Sequence, residues 1–567
     1  MTHSYDLLTE PWIGTWGPDG EYAEVGIREA LERAHELFFP AAVPEDVAVL
    51  RLLVAVYGAA AGPVSDAEWD AAWAAPRLDA DRIAAYLDRW RDRFDLYSPT
   101  HPFLQCAALV STPRGAGALN IVSLTTGGGA FFEPRLARGE EEHPAWRPGA
   151  AARALLLRQG FDTAGIKAAV PGDPDVRGGK VYGAQRGPLW QTTHLGLETD
   201  GRLKDQLLLG WTPYRRPDAD TPAWERPSPG PGHLQRRPEG RLDLLTWPTR
   251  RIRLAPDDAG DVVALALHEG DRLTEPVAST FGLDPMAAWR HRGPRKLPLN
   301  TLTSTCALVH SRLRGLYTAP GASGAVDHAM AAVRRGAIDP EAVLRATTVQ
   351  AVASDKYGSV LGGIFLDQLP FGRARNLVDA EWCRGVAAYA RRSARLHAQV
   401  YEHIAGAARV GTDVAAGMVV VPQPTEEWSA LVLADGPDQE TAGEEYLTVL
   451  ADGVAQVVRG WSRSLRLPQR AVLEDAVDRV LREAVAPLEP EDLTPSAPAD
   501  PPPAPKRSGR PAASHAAFGE TLTLAALAAH PRCVVNLATL RRRIDAGMDP
   551  EEAATTPSRK QARPADE

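Results

Sequence analysis

A long amphipathic stripe in the second half of the chain constrains the fold more than any other feature. Large apolar residues recur there at steps of three and four, and Ser393 fills the one remaining place. They are Trp382, Val386, Tyr389, Leu396, Val400 and Ile404. This spacing puts them on one face of a helix, and that face needs other helices to cover it. Further helices are expected at 443–465 and 469–486, so we predict an antiparallel bundle of the four-helix type at 376–487.

The preceding residues combine helical patterns with strand patterns. Helical spacing recurs at 45–61, 83–90 and 148–160. Alternating apolar residues at 242–246, 251–254 and 262–267 are typical of strands. We therefore predict an α+β fold, in which a large, mostly helical N-terminal domain with a small β-sheet covers 1–375 and the helical bundle follows it.

The C-terminal part changes in composition. Residues 488–513 are rich in Pro and Ala, including Pro501-Pro502-Pro503, which indicates an extended linker. Beyond the linker, 514–567 is expected to hold a short helical segment at about 518–544 and a disordered tail from 549. A chain of 567 residues is long enough for this division.

The charge and the cysteines exclude some classes of protein. The net charge is −9, so any contact with nucleic acid must use local basic patches. The four cysteines lie far apart without a C-x-x-C pair, which predicts neither a zinc site nor a disulfide framework. The N-terminus lacks a signal-peptide pattern, and no apolar run approaches about 18 residues. We therefore predict a cytoplasmic protein that does not enter a membrane.

A glycine-rich basic run, Arg177–Pro188, is the strongest candidate for a binding segment. Glycine lets a backbone approach a ligand closely because no Cβ intervenes, and the neighbouring cations can neutralise phosphate. A phosphate-binding P-loop would need glycine at Pro174 and Ser or Thr at Val181, and a dinucleotide fingerprint would need glycine at Lys180. Both nucleotide cradles are therefore excluded. The run suits the minor groove of DNA, while composition alone favours a plain surface loop.

No arrangement of residues predicts catalysis. The nucleophile elbow fails at Ala325, and His35 and His268 each lack the second histidine of a metalloprotease motif. We therefore predict no catalytic residue, no metal and no cofactor. One alternative stays open, a metal-dependent nuclease that uses Glu140–His143 or Asp355.

Several different short motifs follow one another along residues 5–490. They are Leu7-Leu8-Thr9-Glu10-Pro11-Trp12-Ile13, Arg51-Leu52-Leu53, Phe94-Asp95-Leu96-Tyr97, His101-Pro102-Phe103-Leu104-Gln105, Pro222-Ala223-Trp224-Glu225, Leu245-Thr246-Trp247-Pro248-Thr249-Arg250-Arg251 and Asp284-Pro285-Met286. In this succession the chain resembles the CasA family, the large subunit of the type I-E CRISPR surveillance complex, Cascade.

The resemblance implies roles for three segments. The first matches a glycine loop that members insert into the minor groove of the PAM, the duplex element flanking the target. Another is similar to a glutamine wedge that starts strand separation below the PAM, and the last resembles a loop that contacts crRNA and neighbouring subunits. The glycine-loop residues are Gly178, Gly179 and Lys180; the wedge residues are Val349, Gln350 and Ala351; the contact-loop residues are Gly127, Gly128, Gly129, Phe131 and Phe132.

The same resemblance implies a non-catalytic function. The chain would recognise the PAM, wedge the duplex open to start R-loop formation, and help recruit the helicase-nuclease. Its other implied partners are crRNA, double-stranded target DNA with a PAM, and the backbone, small and 5′-handle-binding subunits of Cascade. Arg290, Arg292 and Lys296 are candidates for a lysine that members direct at the PAM. An RNA- or DNA-binding helical scaffold outside CRISPR systems is the alternative function.

Overall fold

The computed structural model describes residues 3–110, 113–119, 145–173, 176–182, 185–274, 280, 282–292, 295–299, 316–317, 321–353, 361–410, 415, 424–489, 492–493, 514–535 and 537–556. The chain divides into two compact units, Met1–Pro495 and Ser496–Glu567. This division falls inside the predicted linker, 488–513, while the domain boundary near residue 375 stays a prediction.

The described part of the first unit begins with short strands and buried helices. Its first elements are β1 (Ile13–Trp16), β2 (Tyr22–Val25), α1 (Ile27–Glu32), α2 (Pro44–Ala61), α3 (Asp66–Ala74), α4 (Ala80–Arg89), β3 (Arg114–Gly115), α5 (Pro148–Phe161), β4 (Lys167–Ala168), β5 (Lys180–Val181), α6 (Pro188–Gln191), β6 (Thr193–Glu198) and α7 (Leu203–Gly210). Those that follow, before the helical bundle, are β7 (Gln235–Arg236), α8 (Arg241–Leu245), β8 (Arg250–Pro256), β9 (Val262–Glu269), β10 (Arg272–Leu273), β11 (Ala287–Arg292), β12 (Arg295–Pro298), α9 (Gly324–Arg335), β13 (Val343–Ala353), β14 (Leu361–Arg373) and α10 (Ala374–Leu377).

Helix α2 lies in the core because nearly every side chain along it is apolar. Pro44 in its first turn has the fixed φ that a helix start requires, and the Asp46 carboxylate accepts two preceding backbone N–H groups at 3.0 and 3.2 Å. In the part of the chain that the structure describes, no single helix is long and apolar enough to cross a membrane, and α2 with α3 passes that test only as a pair bent by 110°.

The largest sheet in the described residues has five antiparallel strands in the order β12-β11-β6-β13-β14. The long strands β13 and β14 were missed by the sequence patterns, because β13 is buried on both faces and has no simple alternation. In its register Val349 lies opposite His194 of β6, and Gln350 lies opposite Phe365 of β14.

A smaller sheet, in the order β3-β9-β8, confirms two of the three predicted strands. The prediction of a strand at 242–246 is wrong, since α8 occupies Arg241–Leu245. Its first turn is stabilised by Asp220, whose carboxylate accepts the backbone N–H groups of Leu242 (3.1 Å) and Asp243 (2.9 Å). An N-terminal cap supplied from outside the helix cannot be read from local alternation.

The apolar stripe forms the predicted long helix. Its helix and those that follow are α11 (Ala380–Ala408), α12 (Thr425–Leu433), α13 (Pro437–Ser462) and α14 (Leu467–Ala484). Asp379 begins α11, accepting backbone N–H groups of Glu381 (2.7 Å) and Trp382 (3.2 Å). The stripe packs against α13 and α14 in one cluster of buried residues that also includes the core around α2, so the predicted α+β fold with a helical C-terminal region is confirmed.

The second unit has its own small core. Its elements are β15 (Ser514–Ala517), β16 (Glu520–Thr523), α15 (Leu524–Ala529), α16 (Leu537–Asp545) and α17 (Pro550–Thr555). The β15–β16 turn has positive φ at Phe518 (56°) and Gly519 (79°). The prediction of disorder from 549 is wrong for α17, which begins with Pro550 and whose first N–H groups are accepted by the Asp549 carboxylate.

Candidate functional site

The glycine-rich run forms a tight turn at the end of a short ladder between β4 and β5, which pairs Ala168 with Lys180. Arg177 and Lys180 exchange two backbone hydrogen bonds, of 3.0 and 3.2 Å, around the two central glycines. Gly178 and Gly179 have φ of 57° and 72°. Positive φ at both central residues is the pattern of a type I′ turn, which glycine adopts without a Cβ penalty. We call Arg177–Lys180 the glycine turn.

The four residues of the glycine turn are exposed. A Cβ at either Gly178 or Gly179 would meet no other atom within 4 Å. Glycine is therefore favoured there by the positive φ, and a larger side chain would have room. Among the described residues, the side chains of Arg177 and Lys180 have no ion-pair partner. The turn therefore presents bare backbone between two cations, a surface that can approach a polyanion closely.

The turn belongs to a longer segment between α5 and α6, Asp162–Gly187, which we call the excursion. Its two ends meet, because Gly187 donates its backbone N–H to the Asp162 carbonyl at 3.0 Å. The fully buried Arg250 of β8 also holds these two ends together, and we call this junction the base of the excursion. Its Nη2 donates to the carbonyls of Thr163 and Gln185, both at 2.7 Å, and its Nε donates to the Asp162 carboxylate.

Buried charges surround this base. The Asp162 carboxylate lies 3.3 Å from Arg158 and 4.0 Å from Lys167, in addition to its bond with Arg250. Burial alone would raise the pKa of Asp162, but these cations outweigh burial and hold that pKa well below its usual range. Burial also lowers the pKa of Lys167 to about 8, only partly offset by Asp162. The excursion thus rests on an ionised, desolvated cluster.

Asp173 anchors the middle of the excursion. Its carboxylate lies 2.6 Å from Nε2 of His268 and 3.1 Å from Nδ1 of His233, and it accepts the backbone N–H of Val170 at 2.8 Å. Burial would raise the pKa of Asp173, but the hydrogen bonds from Val170 and His233 lower it overall. An ionised Asp173 therefore fixes the approach to the glycine turn.

The base of the excursion packs directly on the segment predicted as the wedge. Phe161, at the end of α5, and Leu189, in α6, share one buried cluster with Val349 and Ala351 of β13. The structure thus brings the foundation of the glycine turn together with residues 349–351, although the two segments are far apart in sequence.

The wedge residue itself is buried. Gln350 is 1% exposed, and its Oε1 lies 3.3 Å from the Thr193 hydroxyl of β6. It lies in the middle of strand β13, away from the surface. A side chain in this position reaches a DNA base only if β13 rearranges, and the assignment of Gln350 as a wedge stays a prediction.

Several predicted site residues lie outside the described residues. These are the contact-loop residues Gly127, Gly128, Gly129, Phe131 and Phe132, and the alternative metal-binding residues Glu140–His143 and Asp355. The backbones of Arg290, Arg292 and Lys296 lie in the antiparallel pair β11–β12. Within the ranges that the structure describes, no group of three or more His, Cys, Asp or Glu residues is placed to hold a metal ion.

A cavity of about 670 Å³ lies beside the base of the excursion, with Trp224 and Trp247 among its apolar lining residues. Arginines that line it are already paired, Arg236 with Asp243 at 2.5 Å and Arg251 with Asp271. The charges of these arginines are neutralised internally, unlike those of Arg177 and Lys180.

Sequence reasoning missed the residues that support the glycine turn. Arg250, Asp162 and Asp173 carry no local pattern that marks them as supports, because their partners are distant in sequence. The one available signal was the motif ending in Arg250-Arg251, and its physical content is now clear: both arginines are fully buried and hold irregular backbone by its carbonyls.

Comparisons with known proteins agree with this fold. A sequence model of the family described as "CRISPR-associated protein Cse1" matches residues 6–488. The chain is 33% identical over 294 residues to "CRISPR-associated protein CasA/Cse1" from Thermus thermophilus, a match that covers 50% of this chain and 55% of that relative. The matched part thus spans little more than half the length of the relative.

Solved structures show the same architecture. The crystal structure of Cse1 from Acidimicrobium ferrooxidans is 25% identical, with a TM-score of 0.66 over 85% of this chain and 98% of that one. A chain of a structure described as "CRISPR RNA-guided surveillance complex" is 20% identical, with a TM-score of 0.64 over 85% of this chain and 100% of that one. Because the family model spans most of the chain and the fold agrees, this chain belongs to the CasA/Cse1 family of CRISPR-associated proteins.

Proposed function

We propose that this protein is the large subunit of a CRISPR RNA-guided Cascade complex and that its glycine turn reads the PAM from the minor groove. The observation that carries the proposal is the exposed type I′ turn at Gly178-Gly179, flanked by Arg177 and Lys180. Membership of the CasA/Cse1 family, and similarity to a chain of an RNA-guided surveillance complex, support the setting.

The glycine turn suits the minor groove of DNA in its width and in its charge. The minor groove of B-DNA is about 6 Å wide, which favours a thin backbone edge over bulky side chains. Two glycines supply that edge, and the exposed cations Arg177 and Lys180 that flank them in the sequence would contact the phosphates. The minor groove distinguishes few base pairs, so readout there suits a short flanking element, and guide pairing supplies the remaining specificity.

Strand opening is the second part of the proposal. Val349 and Ala351 pack against Phe161 and Leu189 at the base of the excursion, so the base of the glycine turn and the proposed wedge share one buried cluster. Gln350 would act as a wedge after β13 separates from β14 near Gln350. Unstacking a base step requires about a few kcal/mol, which phosphate contacts of Arg177 and Lys180 help to offset.

The remaining roles follow from the same setting. The subunit would bind crRNA, double-stranded DNA with a PAM, and the backbone, small and 5′-handle-binding subunits, and would help recruit the helicase-nuclease. It would act without catalysis, metal or cofactor, because recognition and strand separation require binding energy alone.

The decisive experiment replaces both central glycines of the turn in the assembled complex. Gly178→Val with Gly179→Val should weaken binding to a PAM-flanked duplex by about tenfold or more, because valine disfavours positive φ and adds bulk at the groove. Gly336→Val is the matched control, since Gly336 also has positive φ (77°) and open space around it. Gly178→Asn should retain the turn, because asparagine tolerates this backbone region.

Binding of duplexes with and without the PAM is measured for all variants, together with R-loop formation. Equal PAM-dependent binding by the double valine variant and the Gly336→Val control would remove the proposal.

Lys180→Gln separates phosphate contact from groove readout. Loss of one cation should weaken binding of all duplexes by a similar factor and reduce the slope of log K against log salt by about 1. The measurement is a salt titration of DNA affinity. A salt slope equal to that of the unmodified complex would show that Lys180 does not touch phosphate.

A further inference from the structure

A second arginine attaches the excursion to the rest of the first unit just after β5. Arg272 of β10 donates from Nη2 to the carbonyl of Tyr182 at 2.7 Å, immediately after β5. Its Nε donates to the Glu269 carboxylate at 3.1 Å. The Glu269 side chain is fully buried and also lies 3.3 Å from Nη1 of Arg250, so both arginines share one carboxylate.

Gln185, further along the excursion, adds a second attachment to the same part of the protein. Its side-chain amide donates to the Leu273 carbonyl at 2.8 Å and accepts the Leu273 N–H at 2.7 Å. Its backbone N–H donates to Glu269 at 3.2 Å. Residues 182 and 185 are therefore held to residues 269–273 by these three hydrogen bonds of Gln185 together with the one from Arg272.

This attachment matters because the ladder behind the glycine turn is very short. β4 and β5 pair over two residues each, and an isolated two-stranded ribbon is marginally stable even when longer. Asp173 anchors the chain before the turn, and the bonds from Arg272 and Gln185 hold the chain after it. Holding a binding element in one orientation before contact reduces the entropy lost on binding and sharpens discrimination between ligands.

We propose that Arg272 is a positioning residue for PAM recognition: it fixes the orientation of the glycine turn without touching DNA. This role rests on the proposed function of the turn. Arg272 suits it because its planar guanidinium donates in two fixed directions at once, to a carboxylate and to a carbonyl. A lysine ammonium has no such fork.

The Arg272 site can be altered without leaving a buried charge unpaired. In Arg272→Gln, Glu269 keeps Arg250 and the Gln185 N–H as partners. Arg253→Gln is a matched control, since Arg253 is also part-buried and donates to a backbone carbonyl, that of Ser98, at 3.0 Å. The conservative variant is Arg272→Lys.

The experiment uses the assembled complex with three readouts. They are the ratio of affinities for duplexes with and without the PAM, the salt dependence of binding, and hydrogen exchange of residues 176–182. For Arg272→Gln we expect the ratio to fall about five- to tenfold, PAM-free binding and salt slope to stay unchanged, and exchange at 176–182 to increase. Arg272→Lys should restore part of the ratio, and Arg253→Gln should match the unmodified complex.

The outcomes separate this role from the proposed function. If the unmodified complex discriminates the PAM and Arg272→Gln does so equally well, the positioning role is overturned while the function stands. A reduced salt slope would overturn it too, because Arg272 would then be a direct phosphate contact. If the unmodified complex shows no PAM discrimination, the proposed function fails and the positioning role fails with it.

Discussion

The glycine turn and the middle of β13 were predicted as two halves of one DNA-contacting device, but they lie in opposite environments. Gly178 and Gly179 are exposed and have empty space around them. Gln350 is buried in a strand whose neighbouring residues Val349 and Ala351 are core. Under the proposed function, the turn can therefore contact DNA without rearranging, whereas Gln350 needs a conformational change first.

The two regions nevertheless share a foundation. Phe161 and Leu189, which flank the excursion, pack on the same β13 residues that flank Gln350. A change at the base of the excursion should therefore reach both halves, whereas a change at the exposed turn should affect only one.

The largest effect is expected at the shared base. Arg250→Met leaves the buried carboxylates of Asp162 and Glu269 short of a partner, so the free energy of unfolding should fall by about 3–5 kcal/mol. Arg253→Met in the same strand should lower it by only about 1 kcal/mol, because within the described residues the Arg253 side chain makes one hydrogen bond, to a backbone carbonyl. Denaturant unfolding measures both. Similar losses in the two variants would mean that Arg250 is not the foundation.

A smaller effect is expected at the buried half. Gln350→Ala removes a buried amide beside Thr193 and should lower the free energy of unfolding by about 1–3 kcal/mol. Gln368→Ala, an exposed glutamine of the adjacent strand β14, should change it by less than about 1 kcal/mol. Thermal unfolding is compared with R-loop formation per folded complex. Unchanged stability with slower R-loop formation would show that Gln350 acts outside its buried position and would favour the wedge.

The smallest effect is expected beneath the turn, at Lys167. Burial lowers the pKa of Lys167 to about 8, so between that pH and the ordinary lysine value the unfolded chain binds more protons than the folded one. Protein stability should therefore rise across this window, and the charged lysine is unfavourable below it. Lys167→Met should stabilise the protein by about 1 kcal/mol at pH 7, with a gain that shrinks as pH rises above about 8.

Unfolding by denaturant at pH 7 and pH 10 checks the Lys167 prediction. A stability loss at pH 7 would show that the attraction of Lys167 to Asp162 outweighs burial.

The sequence predicted helices well where the apolar residues that specify them lie within one short stretch of the chain. The stripe from Trp382 to Ile404 and the apolar run of α2 specify their helices locally, and both are confirmed. The strand predicted at 242–246 failed because a distant carboxylate, Asp220, caps a short helix there. β13 was missed because a strand buried on both faces resembles a buried helix in its composition, and its partner β14 was missed with it.

Prediction of the candidate site was also limited to features that are local in the sequence. Composition singled out the glycine turn, since paired glycines beside cations are a local signal. It could not identify Arg250 and Arg272, whose roles depend on carbonyls of the excursion that are remote in sequence. Nor could the sequence show that Gln350 is buried, because its covering strands, β6 and β14, come from two separate parts of the chain.

The excursion enters and leaves the body of the protein at a single hydrogen bond between Asp162 and Gly187, reinforced by Arg250. A segment closed in this way can change length or composition at its exposed tip, residues 177–180, while its entry and exit stay in place. Doubling a flexible loop adds only about 0.6 kcal/mol of closure entropy. Because Asp173 and the attachments of Tyr182 and Gln185 bracket the exposed tip, a designer can alter residues 177–180 while the rest of the excursion keeps its contacts with the core.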